Sequence, residues 1–190
     1  MPPVSLDPSF LANWANAITV GRLLLSPLMF WVMPDHDGGS WVAFWLWFVL
    51  CVSDFADGWF ARRHGATRSG AFLDPLSDKV LILGAMFTLV DRGVFWIVPV
   101  AILAVREFVI SIYRTVVGSR GVSVPATHMA KYKTLSQQLA VGFALLPLTA
   151  LAATWLWTGF LWLAVVLAVW SGWRYLRAAR AAQPEAAHAM

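Results

Sequence analysis

The sequence predicts an all-α, polytopic membrane protein with six transmembrane helices and no separate soluble domain. Three observations predict it. Hydrophobic residues make up 59% of the 190 residues and charged residues 13%, about half the roughly 25% usual in soluble domains. Six apolar stretches reach or approach the length that crosses a bilayer, about 20 residues. Twelve tryptophans are present, and indole rings favour the membrane–water interface. Trp14, Trp41, Trp96, Trp155 and Trp173 stand near the ends of apolar runs, where anchoring and lipid contact are their expected roles.

Taken in order, the predicted spans are Ala17–Met33, Trp41–Phe60, Ala71–Val90, Val94–Val117, Leu135–Ala153 and Trp155–Trp173. Pro34–Ser40 is a turn, because Asp, Gly and Ser favour turn conformations. Arg62–Ser69 is a polar turn, and Ser119–Thr134, with Pro125, is the longest connection. Residues 1–182 form one six-helix catalytic domain, and Gln183–Met190 is a flexible tail. No cleavable signal peptide is evident, since no basic residue precedes a first run that contains Asn16, Thr19 and Arg22. Cys51 is the only cysteine, which excludes an intrachain disulfide.

Lysine and arginine set the orientation. Arg62, Arg63 and Arg68 follow the second span. Arg114, Arg120, Lys131 and Lys133 cluster around the end of the fourth, and Arg174, Arg177 and Arg180 follow the sixth. The alternate connections carry only Arg92. Both termini are therefore predicted on the cytoplasmic side of the cell membrane. The net charge of +4 is read as this bias and an affinity for phosphorylated ligands, not as a nucleic-acid-binding surface.

Chemistry concentrates in Asp54-Phe-Ala-Asp57-Gly58-Trp-Phe-Ala61-Arg62, a seven-residue spacer, and Gly70-Ala-Phe-Leu-Asp74-Pro-Leu-Ser-Asp78. Asp54 and Asp57 are three apart and Asp74 and Asp78 four apart, so each pair shares a helix face. The basic turn joins the two helices, and four carboxylates converge beside it. Such a group repels itself unless cations lie within it. Hard divalent ions such as Mg²⁺ and Mn²⁺ take oxygen ligands of this kind. Two of them, about 3.5–4 Å apart, clamp a displacement at phosphorus. Asp74 also suits a helix N-cap before Pro75, but that explains one aspartate. Asp54 and Asp57 follow the uncharged run Trp41–Ser53, and an intramembrane carboxylate is functional by default. Gly58, Ala61 and Gly70 admit a flat ring or a neighbouring backbone, with helix packing as the alternative. Arg62 suits a diphosphate or serves as a plain positive-inside charge.

These residues match every fixed position of D-x2-D-G-x2-A-R-x(7–8)-G-x3-D-x3-D, and the chain resembles the CDP-alcohol phosphotransferase family. The resemblance implies that family's six-helix fold, usually a homodimer, with a cytoplasmic site holding two divalent ions, Mg²⁺ or Mn²⁺. Asp54, Asp57, Asp74 and Asp78 would bind the metals. Asp78 would also act as general base, and Gly58, Ala61, Arg62 and Gly70 would seat the cytidine diphosphate. Further segments resemble the bacterial phosphatidylglycerophosphate synthase branch. They are Asn16-x2-Thr19-x2-Arg22, Leu73–Lys79, Arg106-Glu107, and Met129–Thr134 with Gln137. Ala130 stands where that branch often has Gly. The likeness covers about Asn16–Gln138, and the last two helices carry little of it. It implies transfer of a phosphatidyl group from CDP-diacylglycerol to sn-glycerol 3-phosphate, giving phosphatidylglycerophosphate and CMP.

Arg106, Arg114, Lys131 and Lys133 are the candidates for the acceptor's phosphate. Arg106 lies inside an apolar run, where a cation needs a partner or an anionic ligand. The alternative is an ion pair with Glu107, although adjacent helical residues do not face each other. Arg114, Lys131 and Lys133 would equally serve anionic headgroups. Three rival functions stand beside the main one. The first is the same chemistry on inositol phosphate, phosphatidylglycerol or serine. The second is an intramembrane prenyltransferase, which lacks the fixed Gly-x2-Ala-Arg. The third is an ion-coupled transporter, which places its acids at midplane in broken helices.

Overall fold

Apolar runs separated by short polar turns fold here as antiparallel and parallel helices in one bundle. The computed structural model describes residues 8–64, 70–119 and 128–188. Side-chain surroundings are described for 20–53, 77–113, 116, 129–175 and 177. Every regular element among the described residues is helical: α1 (Pro8–Val32), α2 (Trp41–His64), α3 (Gly70–Asp91), α4 (Ile97–Ser119), α5 (His128–Leu145), a single turn α6 (Pro147–Ala150) and α7 (Thr154–His188). α1 packs on α2 and α3, α4 on α3 and α7, and α5 on α2, α3 and α7.

Six of the seven helices overlap the six apolar stretches, and the boundaries differ most in α1, α5 and α7. α1 begins at Pro8, well before Ala17. The fifth stretch is two elements: α5 starts at His128 and ends at Leu145, and Pro147 opens α6 at its first position. Proline has no N–H and its ring clashes with the preceding turn, so it starts a helix more readily than it continues one. α7 runs to His188, so the segment read as a tail from Gln183 begins inside a helix.

The turns are set by local chemistry. α3 ends in a Schellman cap: the Gly93 N–H donates to Val90 O at 3.0 Å and the Val94 N–H to Leu89 O at 2.9 Å. Gly93 has φ +74°, a conformation glycine adopts without steric cost. The 34–40 turn docks on the end of α5, where the Ser40 N–H donates to Leu145 O at 2.8 Å. A Cβ at Gly39, which has φ +71°, would lie 2.6 Å from that same oxygen.

Small residues seat the helices closely. Ala140 and Ala144 of α5 and Ala164 and Ala168 of α7 are buried together in the core, as close helix contact in apolar surroundings requires. At Gly84 in α3 a Cβ would fall 2.2 Å from the Phe30 ring of α1. Trp47 of α2 donates its indole N–H to Gln138 O of α5 at 3.1 Å.

Polarity is distributed inside out. Arg22, Ser26, Ser77, Lys133, Ser136, Gln137 and Ser171 are buried, while Trp31 is 80% exposed and Leu24, Val42, Phe108, Ile112, Trp155 and Val166 also face outward. In water so much exposed apolar surface marks an interaction site or an aggregation hazard. Among the described residues, Thr154–Tyr175 is long and apolar enough to cross a membrane.

Candidate active site

Asp54, Asp57, Gly58, Ala61 and Arg62 lie in the last turns of α2, and Gly70, Asp74 and Asp78 in the first turns of α3. Both acid pairs therefore sit at adjoining ends of consecutive helices, flanking residues 65–69. The surroundings of Asp54, Asp57, Gly58, Ala61, Arg62, Gly70 and Asp74 lie outside the described residues. Asp78 is described: its partly exposed carboxylate accepts a hydrogen bond at 3.2 Å from Nη1 of Arg22, which reaches it from α1. Arg22 is only 2% exposed. Beside Asp78, the buried Ser77 Oγ has no hydrogen-bond partner among the described residues.

The donor set fits hard divalent cations. Its four carboxylates offer only anionic oxygen ligands, the type Mg²⁺ and Mn²⁺ take. Asp54, Asp57, Asp74 and Asp78 are the residues that would hold them.

A second charged cluster lies where α4 meets α5, α7 and α3. Glu107 Oε1 accepts hydrogen bonds from Arg106 Nη1 at 2.9 Å and from Lys133 Nζ. Lys133 is 4% exposed. The remaining Arg106 nitrogens turn to α7, with Nε donating to Ala168 O at 3.2 Å and Nη2 to Ser171 Oγ at 2.9 Å. Lys79 of α3 donates to Ser111 Oγ, which in turn donates to Glu107 O. Of the four acceptor-phosphate candidates, the structure brings Arg106 and Lys133 together on one carboxylate. Lys131 is exposed on α5, and the surroundings of Arg114 lie outside the described residues.

Sequence reasoning did not find the Arg22–Asp78, Lys133–Glu107 or Lys79–Ser111 contacts. Arg22 and Lys79 each interrupt an apolar run, and an ionisable group in such a run is a pointer to a partner. The Arg106–Glu107 pair also departs from the rule that neighbours on a helix do not face each other. The long guanidinium side chain curls around the helix, so that Nη1 meets Glu107 while Nε and Nη2 meet α7.

Residues 12–170 match the model of the CDP-alcohol phosphatidyltransferase family. A relative from Mycobacterium tuberculosis named probable phosphatidylglycerophosphate synthase is 39% identical over 145 residues, covering 73% of this chain and 68% of the relative. One from Escherichia coli K12, named CDP-diacylglycerol–glycerol-3-phosphate 3-phosphatidyltransferase, is 34% identical over 177 residues, covering 89% and 96%. A Haemophilus influenzae protein of the same name is 32% identical over 179 residues, covering 86% and 91%. The match takes in both acid pairs and the helices that carry them, and the chain belongs to the CDP-alcohol phosphatidyltransferase family.

Proposed function

We propose that this protein transfers the phosphatidyl group of CDP-diacylglycerol to sn-glycerol 3-phosphate, releasing CMP and forming phosphatidylglycerophosphate for phospholipid synthesis. The observation that carries the reading is the complete aspartate motif, Asp54 to Asp78, at the adjoining ends of α2 and α3. The names of the relatives choose the acceptor.

The inside-out polarity supports a polytopic protein of the cell membrane, with six long helices spanning the bilayer. The lysines and arginines beside the aspartates put that end, and both termini, in the cytoplasm. The active unit is a homodimer. In this setting CDP-diacylglycerol lies with its tails in lipid and its diphosphate at the acid corner, its cytidine seated by Gly58, Ala61, Arg62 and Gly70. Two divalent ions, Mg²⁺ or Mn²⁺, supply charge stabilisation at the diphosphate.

The chain's own residues do the rest. Arg106, Arg114, Lys131 and Lys133 attract the acceptor's phosphate. Lys133 supports that role most directly, because its ammonium has three donors and a single acceptor, Glu107, among the described residues. Arg106 contributes its charge while its N–H groups hold Glu107 and α7. Asp78 takes the proton from the primary hydroxyl of glycerol 3-phosphate. The freed oxygen forms a bond to the phosphorus attached to diacylglycerol, and the bond from that phosphorus to the bridging oxygen breaks, so CMP leaves with the electron pair. Arg22 orients the Asp78 carboxylate from α1.

The test is CMP release by the purified protein with CDP-diacylglycerol and Mg²⁺ or Mn²⁺. Glycerol 3-phosphate, inositol phosphate, phosphatidylglycerol and serine are offered separately. Release with glycerol 3-phosphate alone is the expected result. Release with another acceptor reassigns the pathway, and no release from folded protein overturns the reading.

A further inference from the structure

Outside the acid corner the molecule carries a groove of about 550 Å³ between α4 and α7. The two helices run parallel: Trp96 meets Trp162, Arg106 bonds to Ala168 and Ser171, and Tyr113 meets Tyr175. Ile102, Val105 and Val109 form one wall, Val169 and Trp173 the other, and the absent side chain of Gly172 deepens the space between them. Ile102, Val105, Val109, Val169 and Trp173 are all exposed. From Ala101 to Ile110 the groove follows α4 for about 14 Å, at 1.5 Å of rise per residue. That is close to half of the roughly 30 Å hydrocarbon core, one leaflet.

The two ends of the groove differ in charge. Its Trp173 end lies two residues before the close of the apolar stretch at Tyr175. There the Arg177 guanidinium stacks over the Trp173 ring, 4.9 Å from its centroid, and Arg174 is exposed beside it. An apolar slot one leaflet long, capped by cations at the headgroup level, is complementary to an amphiphile with an apolar tail and an anionic head. It is not complementary to a second copy of itself. A two-fold axis along the membrane normal would set Arg174 and Arg177 of one protomer against the same arginines of the other.

The geometry points to a binding site for an anionic phospholipid of the cytoplasmic leaflet, with an acyl chain in the α4–α7 groove and the phosphate on Arg177 and Arg174. The groove lies apart from the aspartates of α2 and α3, shares Arg106 with the proposed acceptor side, and rests on the membrane-spanning reading given above. The Arg177 guanidinium is held over the indole by cation–π attraction, and the Trp173 ring lines the slot beneath it.

Native mass spectrometry of the purified full chain tests the site, with dioleoylphosphatidylserine and dioleoylphosphatidylcholine added separately. The wild type retains phosphatidylserine in preference to phosphatidylcholine. Arg174→Gln and Arg177→Gln each weaken phosphatidylserine retention about fivefold, the contribution of one basic residue near a membrane surface, and leave phosphatidylcholine unchanged. Val169→Trp and Val105→Trp fill the groove from opposite walls, and each removes the retained lipid. Equal retention of the two lipids by the wild type, or retention undiminished in both tryptophan variants, overturns the site. So does a change from dimer to monomer in Val169→Trp, which would make a second copy the occupant. CMP release measured on the same samples tests the catalytic reading separately: lipid retention without turnover removes that reading and leaves the groove site standing.

Discussion

The adjoining ends of α2 and α3 carry four aspartates in sequence, and α1 sends the Arg22 guanidinium to one of them, Asp78. Where α4 meets α5 and α7, a single carboxylate, Glu107, serves both Arg106 and Lys133. Both regions place charge within a largely apolar bundle, yet their balances are opposite. The first has an excess of anionic oxygen and suits cations from solution. The second neutralises most of itself and leaves a cationic remainder, which suits an anionic substrate. The difference teaches that the sign of the local imbalance, more than the presence of charge, would separate the proposed metal side of the site from the proposed phosphate side. It also separates chemistry from assembly. Arg106 spends its hydrogen bonds joining α4 to α7, so its cluster is as much a fastening as a binding surface.

Three single variants and one double variant sharpen or break this contrast. Asp78→Asn removes the proposed base from the acid corner and lowers turnover by about 10²–10⁴-fold, the range of general-base contributions. Nucleotide binding, measured by titration with a CDP-diacylglycerol analogue, stays largely intact. A near-normal rate would remove Asp78 from the chemistry. Glu107→Gln leaves the buried Lys133 and the partly buried Arg106 without their carboxylate. It should destabilise the fold by about 3–5 kcal/mol, as breaking a buried pair does, seen as a lower unfolding midpoint in detergent. Adding Lys133→Met to that variant should recover part of the loss, and no recovery would mean that the pair is not coupled. Ser171→Ala is milder. It removes one hydrogen bond to a charged group and costs about 1.5–3 kcal/mol, while kcat for CMP release stays at the wild-type value. A fall in kcat without a fall in stability would place Ser171 in the chemistry and dissolve the distinction between the two regions.

Much of the fold was legible because each helix is announced by its own apolar run, a local property. Trp41 opens α2 as it opens the run, and Gly93 closes α3 as a glycine cap should. The break between α5 and α6 was not read, although Pro147 stands inside the fifth run, because hydropathy alone reads across a proline. The start of α1 at Pro8 was not legible, because Asn13 and Asn16 interrupt the apolar run there, and Phe10, Leu11 and Trp14 recur at helical spacing without forming a continuous stretch. The aspartate motif was legible because its four residues lie on two consecutive helices, on either side of residues 65–69. Its Arg22 partner was not, since the contact joins α1 to α3 and depends on how those helices cross. The same holds for Lys133 and Glu107, which come from different helices and meet only after α4 and α5 have packed.

The backbone bond from Ser40 to Leu145 bears on how the chain is made. The turn that links the first two helices finds its acceptor at the end of the fifth, and Gly39 leaves no room for anything between them. A ribosome delivers Ser40 long before Leu145. The opening hairpin is therefore made with its turn unfinished, and the Ser40 N–H lacks this acceptor until the fifth helix arrives. The seam between that turn and α5 can close only once the fifth helix has been made, at the end of α2 remote from the aspartates, so a chain interrupted before α5 would hold its aspartate motif on an unsealed scaffold.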